Sequence, residues 1–95
     1  MERKFNASKE KLTVTIRSRQ TTYFDGEAYA ISSINRKGPF DVLPRHTHFI
    51  SLIKEHVTIR NKDTDMQRIP FGYGIMKVKD NRVEVYIGTK GDIKK

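Results

Sequence analysis

The stretch IMKVKDNRVEVYI, residues 75–87, contains two runs of alternating apolar and polar residues on either side of Asp80-Asn81. A period of two is typical of β-strands that bury one face, and a two-residue loop of this kind joins antiparallel strands. With Asp80-Asn81 as the loop, Val78 lies opposite Val83 on the buried face. A register shifted by one residue would place apolar side chains opposite charged ones, so the pattern predicts a hairpin in this register.

The same alternation recurs through most of the chain and predicts further short strands. These predicted strands cover residues 12–17, 21–24, 27–34, 40–43 and 56–60. Asp25-Gly26 is a hairpin signal and predicts a tight turn between two of them. Polar turns are predicted at 35–38 and 61–65. Residues 49–54 are mostly apolar, but they are too few for the period to distinguish a strand from a helix.

Proline and glycine near residue 70 limit the strand that precedes the hairpin. Pro70 has no backbone N–H, so residues 68–71 are predicted to form an edge strand or a bulge. Gly72-Tyr73-Gly74 predicts a bend or bulge at the start of the next strand, since no helix follows that would make it a phosphate loop. Short strands with turns at intervals of about eight to twelve residues predict an all-β fold, a small antiparallel β-sandwich or flattened barrel of about eight to ten strands.

Length and composition predict one domain with a modest core. The chain has 95 residues, of which 36% are hydrophobic, and no cysteine, which excludes disulfides and thiolate-ligated metals. No apolar run approaches the roughly 18 residues of a membrane-spanning helix, and the N-terminus lacks the apolar segment of a signal peptide. We expect a single domain over 11–89 between flexible basic tails at 1–10 and 90–95. The protein is expected in the cytosol or at the periphery of a membrane.

The formal net charge of +8 is spread unevenly. Residues 1–11 hold four basic against two acidic residues and residues 90–95 three against one, so half of the excess lies near the termini. Between them acids and bases are interspersed, which is typical of a solvated surface and not of a nucleic-acid groove. A basic β-barrel module that stacks bases on strand aromatics such as Tyr73 and Tyr86 remains the alternative hypothesis.

No set of residues converges on a catalytic or metal site. His46 and His48 would share one face of an extended segment, but two imidazoles lack the third and fourth ligands that zinc needs. Ser51, His48 and Asp41 contain the groups of a nucleophilic triad, yet nothing in their spacing brings them together. We therefore expect no catalytic residue, no cofactor and no metal, and interpret the histidines as turn or surface residues.

The order of these features resembles a known family. The segments that carry the resemblance are LTVTI (12–16), YFDGEA (23–28), FDVLPRHTHF (40–49), EHVTIR (55–60), GYGIMKV (72–78) and NRVEVY (81–86). Over residues 12–88 they are similar, in unbroken order, to the N-terminal β-sandwich domain of the epsilon subunit of bacterial F-type ATP synthase. The motif Leu-Pro-x-His at 43–46, followed by an apolar run, is the most specific match. Asp41 and Tyr73 depart from the family, which usually has glycine at both positions.

The resemblance implies a non-catalytic rotor subunit of the central stalk, peripheral to the membrane at the cytoplasmic face of the inner membrane. Such a sandwich binds the gamma subunit by one face and the polar loops of the membrane c-ring by its lower end, and so passes on the torque from ion flow. By position, residues 37–48 would face the ring. The partner-binding residues assigned by this resemblance are Arg36, Lys37, Pro39, Phe40, Arg45, His46 and His48. The apolar residues around Phe49 and Leu52 are expected in the core, and nucleic acid is not the favoured partner.

The family usually continues into a C-terminal helical hairpin, which is associated with inhibition of ATP hydrolysis and, in some bacteria, with ATP binding. This sequence ends at Lys95. If the 95 residues are the whole protein, we expect those regulatory roles to be missing.

Overall fold

The computed structural model describes residues 10–45, 48–61 and 66–88, and within these ranges every regular element is a β-strand. The strands are β1 (Leu12–Arg17), β2 (Thr22–Ala28), β3 (Ala30–Asn35), β4 (Gly38–Val42), β5 (Phe49–Arg60), β6 (Met66–Lys79) and β7 (Arg82–Gly88). The all-β prediction is confirmed. The predicted tails at 1–10 and 90–95 lie outside the described residues apart from Glu10, as do His46 and most of the predicted turn at 61–65.

The seven strands form one sheet in the order β2-β1-β7-β6-β5-β3-β4. Neighbouring strands are antiparallel except β1 and β7, which run parallel with Val14 beside Val83. The described ranges contain seven strands and not the predicted eight to ten, because two pairs of predicted strands join end to end. Residues 49–54 are extended and continue into β5, and the segment around Pro70 continues into β6.

A bulge bends the two longest strands at the middle of the sheet. Between the pairs Lys54–Tyr73 and His56–Pro70, two residues of β6 lie opposite the single residue Glu55. Glu55 itself has a φ of 74°, in the left-handed region. An extra residue on one strand increases local twist and bend, so the sheet turns at this point and its two halves pack face to face as a β-sandwich.

The bulge accounts for the proline and glycines in this segment. Pro70 lies beside it in a half of β6 that pairs with β5, while the described pairing with β7 begins only at Tyr73. The prediction of an edge strand or bulge at Pro70 is therefore confirmed. The bulge predicted around Gly72 is also present, but it falls inside a continuous strand and not at the start of one.

The core is a single cluster to which both halves of the sheet contribute. Its buried members are Leu12, Val14, Ile16, Ala28, Ile53, Met76, Val78, Val83, Val85 and Ile87 together with Ile31, Val42, Val57, Ile59 and Ile69. Alternate residues of β1 and β7 are buried, as the period of two predicts. The closing hairpin has the predicted register, with Val78 opposite Val83. Asp80 and Asn81 both have positive φ, which is the backbone of a type I′ turn.

The predicted turn at Asp25-Gly26 is wrong. Both residues lie inside β2, where Asp25 pairs with Thr15 and Gly26 with Val14 of β1. The chain reverses earlier, over residues 18–21, where the Ser18 N–H donates to the Thr21 carbonyl at 2.8 Å. An Asp-Gly pair makes a hairpin only when its two flanking segments pair with each other, and here both flanks pair with β1.

Candidate partner-binding site

Arg36 and Lys37 form the two-residue turn between β3 and β4. The flanking residues Asn35 and Gly38 pair with each other, and the Lys37 N–H donates to the Asn35 side-chain oxygen at 2.8 Å. Gly38 has a φ of 121°, which an L-residue rarely adopts, so the turn depends on glycine at this position. Both basic side chains are exposed and make no ion pair with any residue in the described ranges. The turn therefore presents two cations to solvent.

Pro39 and Phe40 follow on β4, the last strand of the sheet. Pro39 is exposed, and its missing N–H costs nothing at a sheet edge. Phe40 is half-buried and meets Phe49 of β5 edge-to-face, with ring centroids 6.2 Å apart. A groove of about 560 Å³ runs beside these rings and is bordered by the turn. The residues that line it are Asn35, Arg36, Lys37, Phe40, Asp41, Phe49, Ile50, Ser51 and Leu52.

Arg45 is part of an internal contact and not of this groove. Its guanidinium binds the Glu10 carboxylate through Nε at 2.8 and 2.9 Å and through Nη2 at 2.7 Å. Its backbone N–H donates to the Asn81 side-chain oxygen at 2.6 Å, and its own φ is 69°. The hydrogen bond from Arg45 holds the pKa of Glu10 below its ordinary value, and the attraction between the charges acts in the same direction. Arg45 thus ties the loop after β4 to the start of β1.

His48 lies beside the β6–β7 turn at Asp80-Asn81. Its Nε2 is 3.2 Å from a carboxylate oxygen of Asp80, a contact that becomes an ion pair when the imidazole is protonated. The seven residues assigned from the resemblance therefore separate into two groups. Arg36, Lys37 and Phe40 line the groove, and Pro39 lies beside Phe40 on β4 but outside the lining, whereas Arg45 and His48 lie at the β6–β7 turn. His46 lies outside the described residues.

The hypothetical triad does not assemble. The Ser51 hydroxyl donates to the Leu52 carbonyl and accepts from the Asn35 amide. Asp41 accepts from the Ser32 hydroxyl at 2.6 Å, and His48 contacts Asp80. Within residues 10–45, 48–61 and 66–88, no three His, Cys, Asp or Glu side chains come close enough to hold a metal ion. Nor does this part of the chain contain a helix long and apolar enough to cross a membrane.

The expectation that Leu52 is a core residue is wrong. Leu52 is 71% exposed, whereas its neighbour Ile53 is 2% exposed and belongs to the core. On the same outer face, Leu52 pairs with Ile75 and Ile75 with Tyr86, and both partners are exposed. The hairpin register already places Ile75 opposite Tyr86, on the face of the charged residues. The exposure of this row was therefore predictable from the register of the hairpin.

Fold and surface together define a small β-sandwich module with grooves that open to solvent. A model of the ATP synthase delta/epsilon chain β-sandwich domain matches residues 11–89. The chain therefore belongs to the delta/epsilon β-sandwich family of ATP synthase.

Two solved structures show the same fold at low sequence identity. A chain in the mitochondrial ATP synthase of Euglena gracilis (OSCP/F1/c-ring) matches with a TM-score of 0.74 and 14% identity, over 81% of this chain and 50% of that one. A chain in the central stalk/c-ring of the Tetrahymena thermophila mitochondrial ATP synthase gives 0.67 and 20%, over 82% and 63%. The chain thus spans about half to two thirds of the length of these chains. No curated protein sequence matches it at a significant level.

Proposed function

We propose that this chain is a non-catalytic rotor subunit in the central stalk of an F-type ATP synthase, linking the gamma subunit to the membrane c-ring. Membership of the delta/epsilon family over residues 11–89 supports this role. The fold is also that of chains in ATP synthase assemblies that include the c-ring. In this role the protein lies at the periphery of the membrane, on the cytoplasmic face of the inner membrane, and ion flow through the ring drives it.

The exposed turn Arg36-Lys37, at the border of the groove beside Phe40, is the observation that supports a contact with the c-ring. Two cations without an acidic partner in the described part of the chain can meet acidic loop groups or phosphate headgroups without first breaking an internal ion pair. The Phe40–Phe49 ring pair supplies an apolar wall next to them. Arg45 has a smaller share in this contact, because its guanidinium is already held by Glu10.

The first test is co-elution with the gamma subunit of the same organism on a sizing column, at about physiological ionic strength. We expect a stable one-to-one complex, because an interface with an apolar centre survives moderate salt. Far-UV circular dichroism of the free chain confirms that it is folded before mixing. A folded chain that elutes alone would contradict the proposal.

A second arm tests the ring side. The complex with gamma is mixed with detergent-solubilised c-ring, and the amount of ring that co-elutes is measured. We expect retention at low salt and partial loss as the salt rises, because exposed charge contacts are screened. Binding to gamma without any binding to the ring would limit the role to the gamma side.

A further inference from the structure

We propose that the outer face of the β6–β7 hairpin binds a phosphate group between Lys79 and Arg82, with Lys77 as a third cation. This anion site shares no residue with the groove beside the Arg36-Lys37 turn, and it does not depend on the rotor role. Three observations about the described residues support it. They are an unfavourable pairing of like charges, the lack of ion pairs that would offset it, and a hollow lined by all three cations.

The unfavourable pairing lies next to the β6–β7 turn. Lys79 and Arg82 are directly opposite each other in the antiparallel ladder, and both are exposed. They alternate with the buried Val78 and Val83, so they share the outer face of the hairpin. Directly opposite residues have Cβ atoms about 5 Å apart, and like charges there destabilise a sheet. An anion between the two cations would remove this cost.

The described part of the chain gives these three cations no ion-pair partner. Lys77, Lys79 and Arg82 form no ion pair within residues 10–45, 48–61 and 66–88. The carboxylate of Asp80, in the turn, contacts His48 at 3.2 Å instead. Glu84 lies opposite Lys77 in the ladder, yet their charged groups do not form an ion pair. A ligand can therefore bind the cations without first breaking an internal contact.

The three cations line one hollow on the outer face. It has a volume of about 310 Å³ and is lined by Lys77, Lys79, Asp80, Arg82 and Glu84. A phosphate group presents three strong acceptor oxygens, and the planar guanidinium of an arginine can donate to two of them at once. A carboxylate has only two oxygens and cannot bind all three cations equally well. Phosphate is therefore the favoured occupant.

A second hollow determines what can be attached to the phosphate. It has a volume of about 330 Å³ and is lined by His48, Phe49, Ile50, Lys77, Val78 and Lys79, so two lysines border both hollows. Lysine stems cover apolar surface while their ammonium groups stay in water. A phosphate in the first hollow can therefore be free, or it can be a lipid headgroup whose apolar part lies in the second hollow. These two sources differ in whether the second hollow is filled.

The test titrates the ¹⁵N-labelled chain with inorganic phosphate, and chloride keeps the ionic strength low and constant. Exposed charge contacts each contribute little, so we expect a dissociation constant on the order of 1 mM. The largest changes in amide chemical shift should lie at Lys77, Lys79 and Arg82. Bound phosphate stabilises the folded chain by mass action, so the thermal midpoint should rise more in phosphate than in chloride at equal ionic strength.

Charge-matched variants separate the site from the net charge of the chain. Lys79→Gln and Arg82→Gln are each expected to weaken phosphate binding about fivefold. Arg68→Gln removes the same charge from an exposed position of β6 outside the hollow and should leave binding unchanged. Glu84→Gln should tighten binding, because it removes a negative charge from the lining. In chloride alone, Lys79→Gln should unfold at the same temperature as the parent chain or higher, because the repulsion is gone.

Several results would overturn the proposal. These are no binding of phosphate, chemical-shift changes located away from the hairpin, and an equal loss of binding in Arg68→Gln. Changes of the same size in chloride alone would indicate charge screening and no site. Tighter binding of a short polyglutamate peptide than of phosphate would assign the face to an acidic protein segment instead.

Dihexanoyl phosphatidic acid, kept below the concentration at which it forms micelles, distinguishes the two sources of phosphate. Tighter binding than inorganic phosphate, with a shift of the Ile50 amide, would support the site and identify a lipid headgroup as its ligand. Binding no tighter than inorganic phosphate, without a shift at Ile50, would support the site and identify a soluble phosphate.

Discussion

The hydroxyl of Ser33 donates a hydrogen bond of 2.8 Å to the carbonyl oxygen of His56, at the point where β3 and β5 change register. Ser33 pairs with Val57 and the next residue of β3 pairs with Lys54, so β3 offers no paired residue to Glu55 or His56. A buried carbonyl without a partner is costly. Ser33 is 2% exposed and supplies the bond that the backbone ladder does not make there.

Replacement of Ser33 by alanine is expected to lower the free energy of unfolding by about 1–3 kcal/mol, because the carbonyl of His56 loses its partner at a part-buried position. Urea denaturation followed by circular dichroism measures this loss. Ser32→Ala is the control, since the hydroxyl of Ser32 bonds to Asp41 where solvent can replace it. Equal losses of stability in Ser33→Ala and Ser32→Ala would show that water can donate a hydrogen bond to the His56 carbonyl in place of Ser33.

Gly74 is a strand glycine that we expect to tolerate substitution poorly. A Cβ atom at this position would lie 2.5 Å from the Tyr86 carbonyl oxygen, a backbone atom that cannot move aside alone. Gly74→Ala is therefore expected to destabilise the fold by about 2–3 kcal/mol, the upper part of the range for overpacking. At Gly72, a Cβ would meet nothing within 4 Å. Gly72→Ala should change stability by less than about 1 kcal/mol, and a similar loss at both positions would contradict this account.

Asn81 has two separable roles in the β6–β7 turn. Its φ of 63° favours glycine or asparagine, and its side-chain oxygen accepts the hydrogen bond from the Arg45 N–H. Asn81→Gly keeps the turn conformation and should cost about 1 kcal/mol, for the lost hydrogen bond. Asn81→Ala should cost about 1–2 kcal/mol more, because alanine is strained at positive φ. Thermal unfolding of both variants measures the difference in their stability. If Asn81→Ala is as stable as Asn81→Gly, the turn relaxes to a backbone conformation without strain.

The contact between Glu10 and Arg45 predicts a dependence of stability on pH. The pKa of Glu10 is lower in the folded chain than its ordinary value, chiefly because of the hydrogen bond from Arg45. Its contribution is therefore complete above the ordinary pKa of glutamate and is lost as the pH falls through the lowered pKa. The contribution is small, because the pair is in contact with solvent.

NMR titration of the Glu10 side-chain carboxyl measures this midpoint directly. In Arg45→Gln, we expect the midpoint to rise towards the ordinary value, and Glu10→Gln should remove this part of the acid dependence of unfolding. The control is the removal of a neighbouring cation, Lys11, whose ammonium group contacts Glu27 at 3.7 Å. Lys11→Gln should therefore move the midpoint of Glu10 less than Arg45→Gln does.

Charge reversal at the β3–β4 turn tests the ring-side contact. Arg36→Glu is expected to reduce retention of the c-ring by the complex with gamma about tenfold at low salt, and less at high salt. Arg68→Glu reverses another exposed arginine, on β6 and away from the turn, and should have little effect. A loss of similar size for both variants would indicate a dependence on net charge alone.

Local alternation predicted much of this fold because most strands bury one face only. It located β1 and β7 and fixed the register of the closing hairpin, where polar and apolar faces are distinct. It could not assign Phe49–Ile53, since both faces of FISLI carry large apolar side chains and only tertiary packing decides that Ile53 is buried and Leu52 exposed.

Contacts between distant parts of the chain left no local signal. The parallel pairing of β1 with β7 joins segments about 70 residues apart, and no local turn pattern predicts it. Nothing in the sequence around Arg45 indicates that Glu10 binds its side chain. Arg45 is therefore among the residues that the resemblance assigns to a partner. The turn at 35–38 was predicted because polar residues and a glycine follow a strand there, whereas the resemblance alone suggested that Arg36 and Lys37 bind a partner.

The uninterrupted course of β5 and β6 through the bulge has a mechanical consequence. Each half of the sandwich contains part of both strands, so a load applied at Arg36-Lys37 passes from β3 to β5, β6 and β7 through adjacent backbone hydrogen bonds. The halves cannot slide past each other unless these hydrogen bonds break, so the sandwich transmits such a load as one stiff unit.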